Sequence, residues 1–346
     1  MKDTYNIAGR FCFNVISKAG GNFAAFLKDE YKDFLLDSNC CTDPCAGTLE
    51  EIDADLFNGE RRELVKDMLY EDRRYIYIKY NSKYVRINLK DKCFDICYQT
   101  GFEHSVLFHF LEDILRLYAH RFGLDFFHAS SFEYNDRVIM LNGFGGSGKT
   151  EIMIDFLLRG ASFVSDDLVL INEEGKIFPY RVTIPLRWGV VTPEFVARKK
   201  VPMIIYKTCK YCHEKPGRIT NRIYGKLVWH YLIGDHSYKQ LSDRESTLQF
   251  YNVDYCYWLQ EANIDGTFNI SRADFFRYMD LCLENESRKY LDIEGFLALK
   301  FPIVTKLLKG RQHLREQLCE ALTPRGLAVK GRDYEQATKY ILDSIK

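Results

Sequence analysis

The sequence predicts an α/β protein, α+β overall: a P-loop core with a small β-rich domain before it and a helical region after it. Three observations predict this. The segment Gly143-Phe144-Gly145-Gly146-Ser147-Gly148-Lys149-Thr150 fits G-x-x-x-x-G-K-[ST], between an apolar strand-like run and a helix-like one. Residues 4–100 carry short alternating apolar runs, the period of half-buried strands. Residues 272–346 carry mainly helical periods. The expected division is a β-rich domain over 1–103 and the P-loop core with its helical C-terminal region over 104–346.

The bulk numbers agree with a folded core. The chain has 346 residues, 47% hydrophobic and 15% aromatic, ample for burial and against disorder. Lys+Arg and Asp+Glu are both 48, so bulk charge gives no case for a nucleic-acid partner. No apolar run reaches the length of a membrane span, so no membrane partner is expected. Met1-Lys2-Asp3-Thr4-Tyr5 lacks the apolar region of a signal peptide, and a cytoplasmic location is the expectation. The 11 cysteines are scattered, which reads as reduced, partly buried thiols, Cys12 and Cys97 among them.

In chain order, Tyr5 to Val15 alternates as one half-buried strand, and Phe23 to Leu36 is more helical. Cys40 to Gly47 has loop composition, and Cys40, Cys41 and Cys45 have no nearby His to complete a zinc site. Arg74–Tyr80 and Tyr84–Leu89 are strands joined by the turn Asn81-Ser82-Lys83, and Cys93–Tyr98 is another, as in a meander or partly closed sheet. Residues 105–122 form an amphipathic helix with Ser105 as cap and Gly123 as stop. Leu124 to Tyr134 is a strand that carries His128. The turn Asn135-Asp136 then folds the chain into Arg137-Val138-Ile139-Met140-Leu141, bringing His128 toward the phosphate loop.

The loop has a chemical rationale at each position. Gly143, Gly146 and Gly148 let the backbone turn around phosphates without Cβ clashes. The helix over Glu151–Arg159, stopped by Gly160, aims its N-terminus at the same anion. Lys149 would reach the β/γ-phosphates and the Thr150 hydroxyl would bind Mg²⁺. Gly143, Gly145, Gly146, Ser147, Gly148, Lys149, Thr150 and Glu151 are therefore assigned to nucleotide binding.

Ala161 to Ile171 reads as a buried strand interrupted by Asp166-Asp167. Side chains alternate along a strand, so the two acids cannot both face the core. One carboxylate can hold Mg²⁺ while the other orients or deprotonates an attacking hydroxyl. Asp166 is assigned as the base and Asp167 to the metal, with the division between them open.

Beyond Ile171, residues 172–176 form a hairpin turn, with strands over 177–180 and 182–187. Arg187 stands near the expected nucleotide face as a candidate for neutralising phosphate charge. Cys209-Lys210-Tyr211-Cys212-His213 matches the haem-attachment pattern but reads as a loop that carries two thiols. Residues 195–275 are basic and aromatic, the composition of an insertion with a solvated face or of a surface for an acidic partner. The clearest later helices are Phe275–Leu283 and Tyr334–Leu342, expected to cover one side of the core sheet.

Strand-His-Ala, an Asn-Asp turn, an apolar strand, G-x-x-G-x-G-K-T-E, a helix ending in Gly and then Val-Ser-Asp-Asp-Leu-Val together resemble the HPr kinase/phosphorylase superfamily. More closely, these segments resemble the stand-alone HPr-kinase-like proteins, some of which phosphorylate a serine of a precursor peptide. The resemblance covers about residues 120–190, with a weaker echo in the Ile-Ala-Gly strand near the N-terminus. It implies a phosphoenolpyruvate-carboxykinase-like nucleotide fold. It implies catalytic roles for His128, Lys149, Thr150, Asp166 and Asp167, the positions that match the family's set. The C-terminal signature of the bacterial HPr kinases is missing, Leu186-Arg187-Trp188-Gly189 being at best a fragment, so HPr as acceptor and the reverse reaction are not carried over.

The resulting expectation is an ATP- and Mg²⁺-dependent kinase that moves the γ-phosphoryl group to a hydroxyl, a serine of a peptide or protein. The alternatives are a small-molecule hydroxyl kinase and a non-catalytic ATP-binding switch. The acceptor and the oligomeric state stay open.

Overall fold

Ala8 and Gly9 both hold positive φ, 55° and 64°. That breaks the expected single strand over 5–15 into a hairpin of β1 (Lys2–Ile7) and β2 (Phe11–Ile16), closed by a bond from Arg10 N–H to the Ile7 carbonyl. The same device recurs at Asn81-Ser82 (46° and 64°) and at Asn135-Asp136 (52° and 57°), both of which were legible as turns. The computed structural model describes residues 1–18, 21–36, 43–53, 61–66, 68–180, 193–198, 201–215, 217, 220, 223, 249–287, 293–331 and 333–345. Arg187, the expected strand over 182–187, Cys40, Cys41 and much of the basic stretch lie outside the described residues.

The remaining elements follow in order. Helix α1 (Asn22–Glu30) precedes β3 (Cys45–Ile52), β4 (Arg62–Val65), β5 (Leu69–Glu71), β6 (Ile76–Tyr80), β7 (Lys83–Leu89), β8 (Phe94–Gln99) and α2 (His104–Ala119). Then come β9 (Leu124–Phe127), β10 (Ala129–Tyr134), β11 (Arg137–Gly143), α3 (Lys149–Leu158), β12 (Ser162–Ser165), β13 (Val169–Asn172) and β14 (Ile177–Phe178). They are followed by α4 (Pro193–Arg198), α5 (Met203–Glu214), β15 (Tyr255–Ala262), β16 (Gly266–Phe268), α6 (Arg272–Ser287), α7 (Ile293–Lys300), α8 (Pro302–Ala321), β17 (Pro324–Lys330) and α9 (Tyr334–Ser344). The class is mixed α/β, as expected for α+β.

Two compact units form. The first joins Met1–Phe126 to Leu283–Gln317, and the second joins Phe127–Cys282 to Leu318–Lys346. The division therefore falls at 126/127 rather than 103/104. The reason is the burial of α2, whose residues from Val106 to Ala119 are nearly all covered. Its Phe108 packs on Phe26 of α1, and its Tyr118 hydroxyl donates to the Lys90 and Cys93 carbonyls.

The first unit is an eight-stranded sheet in the order β1-β2-β3-β8-β7-β6-β5-β4. It is not a simple meander, because β3 pairs in parallel with both β2 and β8. Cys45, Ala46 and Gly47, expected in a loop, belong to β3. Helix α2 runs on into a 3₁₀ turn (His120–Phe122), and that turn ends at Gly123, in the left-handed region at φ 69°, as expected of that glycine. Its N-cap is Glu103 rather than Ser105. Cys12 is disulfide-bonded, which overturns the reading of it as a reduced thiol. Cys45, Cys93, Cys97, Cys209, Cys212, Cys256 and Cys282 are free thiols.

The second unit holds a six-stranded sheet ordered β12-β10-β11-β15-β17-β16. Strand β11 sits between the antiparallel β10 and the parallel β15, and β15 pairs in parallel with β17. One core joins the sheet to its helices: Leu141, Ile152, Phe156, Tyr257, Leu327 and Ile341 are all buried in it. Phe195 of α4 and Cys209 of α5 enter the same core. The C-x-x-C stretch is thus helical, with Cys209 and Cys212 buried one turn apart, rather than a loop. Residues 272–346 are largely helical, as expected, with β17 running through them, and Leu283–Gln317 belongs to the first unit.

Candidate active site

Four buried strand residues, Ile139 to Asn142, drive β11 through the sheet and end it at Gly143. The chain turns there because nothing larger than glycine fits. A Cβ on Gly143 would stand 2.5 Å from Ser147 Oγ and 2.8 Å from the Leu259 carbonyl. Gly146 and Gly148 hold φ of 84° and 93°, the region open to glycine. Ser147 N–H donates to the Phe144 carbonyl at 3.1 Å and tightens the loop.

Gly148 is the N-cap of α3, and the helical bond from Ile152 N–H reaches its carbonyl. The amides just before Ile152 therefore point out of the helix end, the arrangement that suits an anion. Glu151 lies in this first turn, on the favourable side of the helix dipole. At the other end Gly160 (φ 96°) closes α3 with bonds from Gly160 N–H to Leu157 O and from Ala161 N–H to Phe156 O, the Schellman pattern. The helix stop read from Gly160 is therefore present.

Lys149 is buried. Its ammonium donates to the Gly143 carbonyl at 2.8 Å and to the Phe144 carbonyl at 3.3 Å. It stands 3.1 Å from Nε2 of His128. His128 occupies the link between β9 and β10, one residue before the pairing of Ala129 with Asn142, and is buried. Its other ring nitrogen, Nδ1, is 3.5 Å from Asp167 Oδ1. An ammonium at Nε2 and a carboxylate near Nδ1 suit a neutral imidazole with its proton on Nδ1.

The expected single strand over 161–171 is two strands, β12 and β13, separated by the aspartates. Asp166 is 1% exposed, and the side chain of Asp167 is 48% exposed. The two acids do face apart, as alternation requires. Asp167 holds φ 65°, and Leu168 N–H donates to the Asp166 carbonyl at 2.8 Å, an i→i+2 turn that Asp tolerates better than bulkier residues. Ser165 braces the turn by donating to the Leu168 and Tyr180 carbonyls.

Asp166 accepts from the Thr150 hydroxyl at 3.2 and 3.1 Å and from the Ser130 hydroxyl. Burial pushes its carboxyl up to about 6, and the charge of Asp167 acts the same way. The hydroxyls of Ser130 and Thr150 and the Asp167 amide oppose the rise.

Of the residues expected in the site, His128, Lys149, Thr150, Asp166 and Asp167 converge, and Gly143, Gly145, Gly146, Ser147, Gly148 and Glu151 form the loop and helix start beside them. Two neighbours were missed. Ser130 had a signal, since it lies two residues from His128 on extended chain and so shares its face. Tyr334 had none, because it arrives from the start of α9, where its ring covers Gly148. Among the described residues no group of three His, Cys, Asp or Glu side chains forms a metal cage. Mg²⁺ needs less, being held in nucleotide sites by one or two protein oxygens together with phosphates. The paired oxygens of Thr150 and Asp166 fit that pattern. No helix among the described residues is long and apolar enough to cross a membrane.

In comparison with known proteins, the chain matches no family model and no curated protein.

Proposed function

We propose that the second unit is an ATP-dependent phosphotransferase that moves the γ-phosphoryl group to a hydroxyl, with a serine of a peptide or protein as the acceptor. One observation carries this reading: three separate segments bring His128, Lys149, Thr150, Asp166 and Asp167 together, through hydrogen bonds and the 3.5 Å contact of His128 with Asp167, at the end of a glycine loop and helix. The loop amides and Lys149 would bind the phosphate chain. Thr150 and Asp166 would hold Mg²⁺, which neutralises phosphate charge.

The geometry favours exchanging the roles first assigned to the two aspartates. Asp166 is enclosed and shares the Thr150 hydroxyl, which suits the cation. Asp167 is half-exposed beside His128, which suits an incoming acceptor. Asp167 then takes the acceptor's proton while the acceptor oxygen bonds to the γ-phosphorus. The bond from that phosphorus to the bridging oxygen breaks and leaves ADP. His128 orients Asp167, and Lys149 places positive charge on the transferring group.

The test is transfer from γ-labelled ATP·Mg²⁺ to a panel of serine peptides and small hydroxyl compounds, by wild type, Lys149→Ala and Asp167→Asn. Label on a peptide class that both substitutions abolish supports the proposal. Label only on small compounds would replace the acceptor class, and ATP binding without transfer to any acceptor would overturn the kinase reading.

A further inference from the structure

A cleft of about 350 Å³ opens against the glycine loop, with Gly145, Gly146 and Ser147 forming one wall. The opposite side is aromatic. Trp258 of β15 is 1% exposed and makes the floor, and the Tyr278 ring stacks on it at 5.1 Å and 27°. Phe144 meets Trp258 edge-on at 5.3 Å and lies 6.2 Å from Tyr278. Phe144 remains 40% exposed although it begins the loop. Gln260 and Glu261, both exposed, stand at the same cleft.

Resting on the nucleotide reading above, we propose that this cleft takes the base of the nucleotide, a purine, while its phosphates lie on the glycine loop. Two features select that occupant. The loop residues that would cradle phosphates are themselves a wall of the cleft, so one molecule with an anionic chain and a flat ring reaches both. The rest of the lining is what a flat π-system needs: aromatic faces to stack on, with stacking that favours the larger purine ring. Polar groups at the edge then fix orientation. Glu261 accepts from an amino or ring N–H of the base, and Gln260 both donates and accepts. The cleft is assigned to the nucleotide rather than the acceptor because it borders Gly145–Ser147, whereas Asp167 stands on the His128 side of Lys149.

Calorimetry on the full chain with ATP, CTP and inorganic tripolyphosphate tests this for wild type, Tyr278→Ala and Phe144→Leu. ATP is expected to bind at least about tenfold tighter than tripolyphosphate or CTP. Tyr278→Ala is expected to weaken ATP by about tenfold, with Phe144→Leu moving it the same way, while tripolyphosphate changes by less than about twofold. Equal affinity for ATP and tripolyphosphate in wild type overturns the base site but leaves the phosphate loop standing. So does a variant that weakens both ligands equally, which marks a loop-folding effect. Equal affinity for ATP and CTP overturns the purine assignment. If neither ATP nor tripolyphosphate binds, the nucleotide reading and the base site fall together.

Discussion

The Thr150 hydroxyl lies 3.2 and 3.1 Å from the two carboxylate oxygens of Asp166. This contact ties the first turn of α3 to the end of β12, and it holds a carboxylate that is almost wholly buried.

That burial has a measurable cost. The Asp166 carboxyl sits at about 6 in the folded chain, above its ordinary 3.8. A raised carboxyl leaves stability intact below the ordinary value and removes it as pH climbs through the folded one. The shift of about 2 units corresponds to about 3 kcal/mol at neutral pH. In metal-free buffer Asp166→Asn is therefore expected to exceed wild type in stability at pH 7.5, by up to that amount, and to match it near pH 4. Urea titrations at both pH values measure the gap; a gap that does not widen with pH contradicts the assignment.

Gly148→Ala is expected to destabilise the second unit by about 2–4 kcal/mol. The new Cβ would combine a φ of 93° with a clash 2.0 Å from the Tyr334 ring. Pairing it with Tyr334→Ala is expected to recover only the steric part. Full recovery in thermal melts would mean the backbone carries no strain there.

In the first unit, Arg315 Nε donates to Asp125 Oδ2 at 2.5 Å, with side chains 4% and 0% exposed. Asp125 also accepts from the Phe126 amide at 2.8 Å. Removing one buried charge breaks the pair while the other charge stays buried. Asp125→Asn is expected to cost about 3–5 kcal/mol, and Asp125→Asn with Arg315→Met less than the sum of the two single changes. Additivity in chemical denaturation would show that the two side chains do not act as a pair.

The two aspartates and the lysine are expected to fail differently in catalysis. Asp167→Asn is expected to lower kcat by about 10²–10⁴-fold with little change in ATP affinity, as for loss of a general base. Lys149→Ala is expected to weaken ATP binding itself, because its ammonium lies among the loop carbonyls. Steady-state kinetics with parallel calorimetry separate the two. If Asp166→Asn rather than Asp167→Asn lowers kcat with ATP affinity kept, the roles of the aspartates return to the order first read from the sequence.

The sequence by itself determined the local pieces of the candidate site. The glycine loop, the Asn135-Asp136 hairpin, the opposed Asp166 and Asp167, and the helix stops at Gly123 and Gly160 are all set by φ preference and side-chain alternation within a few residues. A φ above zero at Asp167, which splits one expected strand into two, has no comparable local signature.

Only the tertiary structure decided what lies beside those pieces. β17 begins with Pro324 and contains Gly326, both poor strand residues, and is a strand because β15 and β16 pair with it on either side. β15 lies more than a hundred residues from its partner β11, yet it supplies Trp258 beside the loop. Residues 283–317 leave the second unit for the first, and Tyr334 returns to cover Gly148. Such contacts depend on which distant surfaces bury each other. Local composition does not encode that choice, because burial is a property of the pair of surfaces and not of either segment.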